Sequence, residues 1–142
     1  MRFWDSSALV PLVVEEVTSK GCRHLLRTDK TQLVWCLSRT EILSALWRRH
    51  RESMLEADEV RKAERRLDAL SARWAEVDAV PLVRDAAERL LRLHPLRAAD
   101  ALQLGAALVA LGPRTRGRAF VALDDVLLRA AEREGFDALR PA

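Results

Sequence analysis

Residues 2–16, RFWDSSALVPLVVEE, decide the fold. The run from Arg2 to Trp4 reads as a short strand, Asp5 and two serines break it, and ALVPLVVEE (8–16) reads as a helix. The same order recurs down the chain. QLVWC (32–36) precedes SRTEILSALWRRH (38–50), VDAVPL (77–82) precedes VRDAAERLLRL (83–93), and AFVAL (119–123) precedes DDVLLRAAERE (124–134). FDAL (136–139) reads as a last short strand, and Gly135 before it suits a helix C-cap. Further helices are expected at SKGCRHLLR (19–27) and from about Met54 to Trp74. Another is expected at RAADALQLGAALVAL (97–111), which is apolar nearly all round and therefore buried. Strands alternating with helices predict an α/β domain with a central, mainly parallel sheet of four to five short strands, flanked by helices.

A length of 142 residues suits one domain, spanning 1–142. A hydrophobic share of 49% beside a charged share of 32% marks an ordinary globular chain. No apolar run approaches the roughly 18 residues of a membrane span. The N-terminus has no basic region, apolar stretch or small-residue cleavage site of a secretory signal, so a cytoplasmic protein without a membrane partner is expected. Cys22 and Cys36 are too few and too unpatterned for a disulfide framework or a zinc site, which predicts reduced thiols. The formal charge is +3, and arginine far outnumbers lysine. That excess is compatible with a phosphate-bearing partner, because the guanidinium fork matches phosphate, and equally with a bias of the source genome.

In open α/β sheets, ligands bind outside the carboxyl ends of the strands. Asp5 follows the first strand, Asp124 follows the fourth, and Glu41 lies in the first turn of the helix after the second. Asp100 sits near the start of the buried helix, where a charge is costly without a partner. Each acid also has a local reading. Asp5 and Asp124 suit N-caps, Glu41 lies three residues after Ser38 in a capping-box signature, and Arg97 is one helical turn from Asp100. If the acids converge instead, their repulsion raises their pKa values unless a cation neutralises them. Oxygen-only donors of that kind suit magnesium or manganese.

FWDSSALVPLVVEE, SRTEILSALWRR, RAADALQLGAAL and FVALDDVLLRAAEREGF resemble, in that order, the four acidic motifs of PIN-domain ribonucleases. The likeness is greatest to the VapC toxins of bacterial and archaeal toxin–antitoxin pairs, and it spans essentially the whole chain. It implies a PIN-like fold and an Mg²⁺- or Mn²⁺-dependent endoribonuclease. Such an enzyme leaves a 3′-hydroxyl and a 5′-phosphate, and cuts a tRNA or ribosomal RNA to arrest translation. By this resemblance Asp5, Glu41, Asp100 and Asp124 take the acidic positions. Asp5 and Asp100 are then the main direct ligands, with Glu41 and Asp124 completing the cluster partly through water. Asp124 rather than Asp125 matches because it follows FVAL directly; Asp125 is expected to face solvent or cap the helix. Where the family usually has threonine or serine two residues before that acid, this chain has Ala122, which implies a weaker second metal position. Ser7 and Ser38 fall where the family carries small hydroxyl residues, as supports or caps. The resemblance further implies a small cognate antitoxin whose tail covers the site, a toxin homodimer, and higher-order toxin–antitoxin complexes. The alternative is a PIN-like scaffold that has lost catalysis and only binds RNA or protein.

Other chemistry has little support. His24, His50 and His94 show no ligand spacing, and no phosphate-cradling glycine loop or HExxH helix is present. A phosphoacceptor receiver domain would want a lysine after a late strand, and Lys20, Lys30 and Lys62 are all too early. The tryptophans suit a core or an interface better than a base-stacking platform. The basic loop with Arg114, Arg116 and Arg118 reads either as a solvated turn or as a contact for substrate phosphate. LVPLVV (9–14), LSALW (43–47) and the stripe Val60, Ala63, Leu67, Leu70 and Trp74 read either as core or as surfaces for a partner helix.

Overall fold

The computed structural model describes residues 1–142. Its strands are β1 (Arg2–Trp4), β2 (Gln32–Trp35), β3 (Ala75–Val77), β4 (Ala119–Val121) and β5 (Asp137–Leu139). They pair in the order β3-β2-β1-β4-β5, every neighbour parallel, so the α/β expectation with a mainly parallel sheet holds. Seven helices flank it: α1 (Ser6–Val13), α2 (Ser19–Arg27), α3 (Ser38–Arg51), α4 (Ala57–Ser71), α5 (Val80–Leu93), α6 (Ala98–Leu111) and α7 (Asp125–Arg133). No helix is long and apolar enough to cross a membrane.

Parallel strands are covered on both faces, which is why they read as near-continuous apolar runs. Successive side chains point to opposite faces. Phe3, Leu33, Trp35 and Phe120 pack on one face with Val83, Leu90, Leu104 and Leu127 from α5, α6 and α7. Phe3 and Phe120 stack across the β1–β4 pair at 5.4 Å. Trp4, Val34 and Val121 pack on the other face with Leu9, Ile42, Leu46 and Leu67 from α1, α3 and α4. Gly105 lets α6 lie close to α5, since a Cβ there would stand 3.1 Å from the Val83 carbonyl oxygen. Gly135 has φ +96°, the left-handed conformation expected of a residue closing α7.

Several local expectations are corrected. The third strand is Ala75–Val77, earlier than VDAVPL, because Pro81 sits in the first turn of α5 and Val80 already belongs to that helix. Proline is pre-organised for a helix start, so the apolar VPL feeds a helix and not a strand. The long helix is shorter than 54–74, and its start is held by Glu59, which accepts a hydrogen bond from the Glu56 amide at 3.0 Å. Ser38 and Glu41 form no capping box: α3 has Leu37 at its N-cap and no side-chain cap bond. The stripe Val60, Ala63 and Leu67 is fully packed in the core, with Leu70 and Trp74 partly buried against it. Leu9, Val10, Val13, Val14 and Leu46 are likewise buried, so most of the apolar surface considered for a partner is interior. Leu67→Ala should therefore cost about 2–5 kcal/mol in urea unfolding, as a cavity in a closed core does. A loss below about 1 kcal/mol would return the stripe to the surface.

Candidate functional site

The strand order reverses between β1 and β4, since the chain steps one way from β1 to β3 and the other from β4 to β5. That reversal parts the loops at the carboxyl ends of the two strands and opens a crevice. Asp5 and Asp124 stand on either side of it, just past β1 and β4. A cleft of about 780 Å³ at this edge is lined by Asp5, Glu41, Asp100 and Asp124 together. The topology thus gathers acids from four separate segments.

Asp5 and Asp124 are also helix caps. The Asp5 carboxylate accepts from the Ser7 amide at 3.1 Å at the start of α1, and Asp124 accepts from the Leu127 amide at 2.9 Å at the start of α7. Ser7 does more than support. Its hydroxyl donates to Asp5 Oδ2 at 2.5 Å and accepts from the Leu123 amide at 2.9 Å. It therefore ties the exit of β1 to the exit of β4. Asp125 neither caps nor faces the cleft; it is exposed and paired with Arg140 at 2.8 Å.

Glu41 is aimed inward by neighbours the sequence reading did not single out. Ser6 Oγ donates to Glu41 Oε2 at 3.1 Å, and Gln103 Nε2 donates to Oε1 at 3.0 Å. The same Gln103 nitrogen reaches Ser38 Oγ at 3.3 Å, so Ser38 serves this buried network and not a cap. Gln103 lies three residues after Asp100 on α6, a spacing that puts both on one helix face. Ser44 and Arg48, at three and seven residues after Glu41, line the cleft for the same reason. Arg49 lines it as well, paired with Glu16 at 2.5 Å. Arg114, Arg116 and Arg118 do not reach it. They precede β4, whereas the cleft lies past its end.

The acids feel one another. Burial lifts the Asp5 carboxyl from its usual 3.8 to about 7 against the two Ser7 bonds, and the charges of Glu41 and Asp100 push the same way. Burial raises Glu41 too, opposed by Ser6 and Gln103 and helped by the charge of Asp100. Asp100 is raised by burial and then by the charge of Asp124, while the Arg97 amide and charge pull it down. Arg97 forms no ion pair with Asp100 and does not cancel the lift.

These residues suit a hard divalent cation by charge and donor type: oxygen donors in one cleft, with the carboxyl groups of Asp5, Glu41 and Asp100 raised by burial and by neighbouring acids. The side chains do not form a closed cage. No three His, Cys, Asp or Glu groups are arranged to hold a metal ion. Magnesium needs no such cage, because it keeps several waters and engages only one or two carboxylates. No protein-family model matches the chain, and no match was found among curated proteins.

An acid with a higher pKa in the folded state holds its proton more tightly there. The stability it contributes is complete below about pH 4 and is lost as pH rises through about 7. In chelator, wild type should therefore lose stability relative to Asp5→Asn as pH rises over that window, by roughly 1.4 kcal/mol for each pH unit crossed. Urea melts at both ends of the window measure it. Mn²⁺ added near pH 7.5 should raise the melting temperature of wild type and leave that of Asp5→Asn unmoved, because a ligand must lose its proton to bind. Parallel pH curves for the two proteins would remove Asp5 from the charge cluster.

Proposed function

We propose that this chain is a PIN-type, metal-dependent endoribonuclease of the VapC kind. The reading is carried by the meeting of Asp5, Glu41, Asp100 and Asp124 in one cleft at the switch point of the sheet. Asp5 and Asp100 would hold Mg²⁺ or Mn²⁺, with Glu41 and Asp124 completing the set. When bound, such an ion supplies positive charge to the scissile phosphate and makes water more acidic.

The chain's own groups do the rest. Ser6 and Gln103 fix Glu41 from both oxygens, so its carboxylate is oriented to take a proton from the attacking water. Ser7 fixes Asp5 against β4. Arg48, exposed at the cleft wall and in no ion pair, can hold a neighbouring phosphate of the RNA strand. The products would carry a 3′-hydroxyl and a 5′-phosphate, and a tRNA or ribosomal RNA is the substrate the resemblance supports.

A scaffold that binds RNA without cutting it is the second reading, and Ala122 favours it. That residue is fully buried and brings no hydroxyl to orient Asp124, whose carboxylate already serves the α7 cap.

Sequencing RNA ends after brief expression tests the main reading. Asp5→Asn and Asp100→Asn should abolish cleavage and remain folded, and Asp124→Asn should lower it by orders of magnitude. Asn caps a helix about as well as Asp, so Asp124→Asn should cost little stability. Asp125→Asn loses only an exposed ion pair and should stay within about 1 kcal/mol of wild type, with cleavage intact. Full cleavage by Asp5→Asn in chelator would sink the mechanism.

The same proposal includes a homodimer and a small antitoxin. Leu37 just before α3, Trp47 on it and Met54 after it remain exposed, and Leu37 borders the cleft. An antitoxin arginine could pair with the carboxylates there. Co-expression with the neighbouring reading frame should give a stable complex with no ribonuclease activity. A monomer at high concentration, with no copurifying inhibitor, would leave a free-standing nuclease.

A further inference from the structure

The amino ends of the strands carry a second cavity, of about 570 Å³, between α2, α4 and the start of β2. Arg23 and Arg27 of α2, Lys30 before β2, Arg66 of α4 and Arg73 just past its end line it. Even with Asp29 counted against them, these cations carry more charge than the chain's net +3. Only Arg23 has a carboxylate partner, Glu15 at 2.9 Å. Arg66 donates to the Val13 carbonyl at 3.1 Å, and Arg27, Lys30 and Arg73 enter no ion pair. Asp29 accepts from the Trp4 indole through Oδ2 at 2.8 Å, and its buried Oδ1 lies 3.5 Å from the N-terminal amine with no hydrogen bond.

A second observation points to an acceptor. Gln32, the first residue of β2, is 4% exposed and lines this cavity, yet its amide nitrogen has no hydrogen-bond partner. A buried donor left unpaired is costly. The cations also have an order. Arg27 lies one helical turn after Arg23, a row about 6 Å long on α2, and Arg73, just past the end of α4, extends the positive lining beyond Arg66. A single phosphate would engage one end of such a groove; a chain of phosphates can follow it.

We propose that this groove binds the phosphodiester backbone of an RNA strand, at the opposite edge of the sheet from the acidic cleft. RNA as the polyanion rests on the ribonuclease reading; the groove's taste for phosphate does not. Its lining of cations and aliphatic groups offers no aromatic face for bases, so binding is independent of base sequence.

The test uses the full chain carrying Asp5→Asn, so that RNA survives, and follows fluorescence anisotropy of a labelled single-stranded RNA against salt. Adding Arg27→Glu with Arg73→Glu should weaken binding at least about tenfold and reduce the salt slope by about 1.4, the share of two phosphate contacts. Arg114→Glu with Arg116→Glu, the same charge change in the loop before β4, should have a far smaller effect. Arg27→Gln with Arg73→Gln should fall between, and melting curves show that each variant is folded. Equal weakening by the loop variant overturns the groove. So does displacement of RNA by pyrophosphate at equal phosphate concentration, which assigns a small anion, or tighter binding of polyglutamate, which assigns an acidic peptide. If wild type cleaves RNA while groove reversal leaves binding unchanged, the groove fails and the nuclease stands. If groove reversal abolishes binding by a protein that never cleaves, the nuclease reading fails and the groove stands.

Discussion

A carboxylate held inside the protein at the end of its central strand constrains everything around it. Asp5 is 4% exposed, and burial alone makes its charged form expensive. The Ser7 amide and hydroxyl offset part of that cost, and the same hydroxyl reaches across to the Leu123 amide. One serine thereby fixes the acid, starts α1 and pins the exits of β1 and β4 at the point where the sheet changes direction. The polar groups beside it follow from the same need. Ser6, Ser38 and Gln103 form a linked set around Glu41, because a second inward-facing acid needs donors of its own.

The fold was legible where sequence and burial share a period. β1, β2 and β4 are covered on both faces, so each shows as an apolar run bounded by polar residues. β3 was misplaced because Ala-Glu-Val at the sheet edge is less apolar than the Val-Pro-Leu that begins α5. Hydrophobicity pointed to the wrong segment, and the helix-starting preference of Pro81 outweighed it. The Ser38–Glu41 spacing misled for a different reason. A capping box is a local pattern, and here a tertiary partner, Gln103 from 62 residues away, took the glutamate instead.

The acids themselves were readable because local chain order delivers them: an acid after an apolar strand arrives at the carboxyl edge whatever the rest of the fold does. Arg48, Gln103 and the groove between α2 and α4 were not. Arg48 needed the facing of α3 to be known, and Gln103 looked like one polar residue in an apolar helix. The groove joins residues as far apart as Arg23 and Arg73, and only the packing of α2 and of α4 against α1 brings them together. Nor were capping and site-building true alternatives at Asp5 and Asp124. A cap occupies part of a carboxylate and fixes its direction, and the rest remains available to the cleft.

Charge separates the two edges of the sheet. The cleft carries Asp5, Glu16, Glu41, Asp100 and Asp124 against Arg48 and Arg49. A polyanion approaching it without a neutralising cation meets net repulsion, so the cleft suits chemistry on one phosphate better than retention of a long strand. The groove at the other edge has the opposite balance, with five cations and a buried amide against the single carboxylate of Asp29. A row of cations set among the central acids would pair with them, draw down their pKa values and compete with a divalent ion for the same oxygens. Of the two arginines that line the cleft, Arg49 is held at 2.5 Å by Glu16, and Arg48 is exposed and forms no ion pair with the acids. On the proposed reading, affinity at the amino ends of the strands and reactivity at their carboxyl ends would let each set of charges keep its strength.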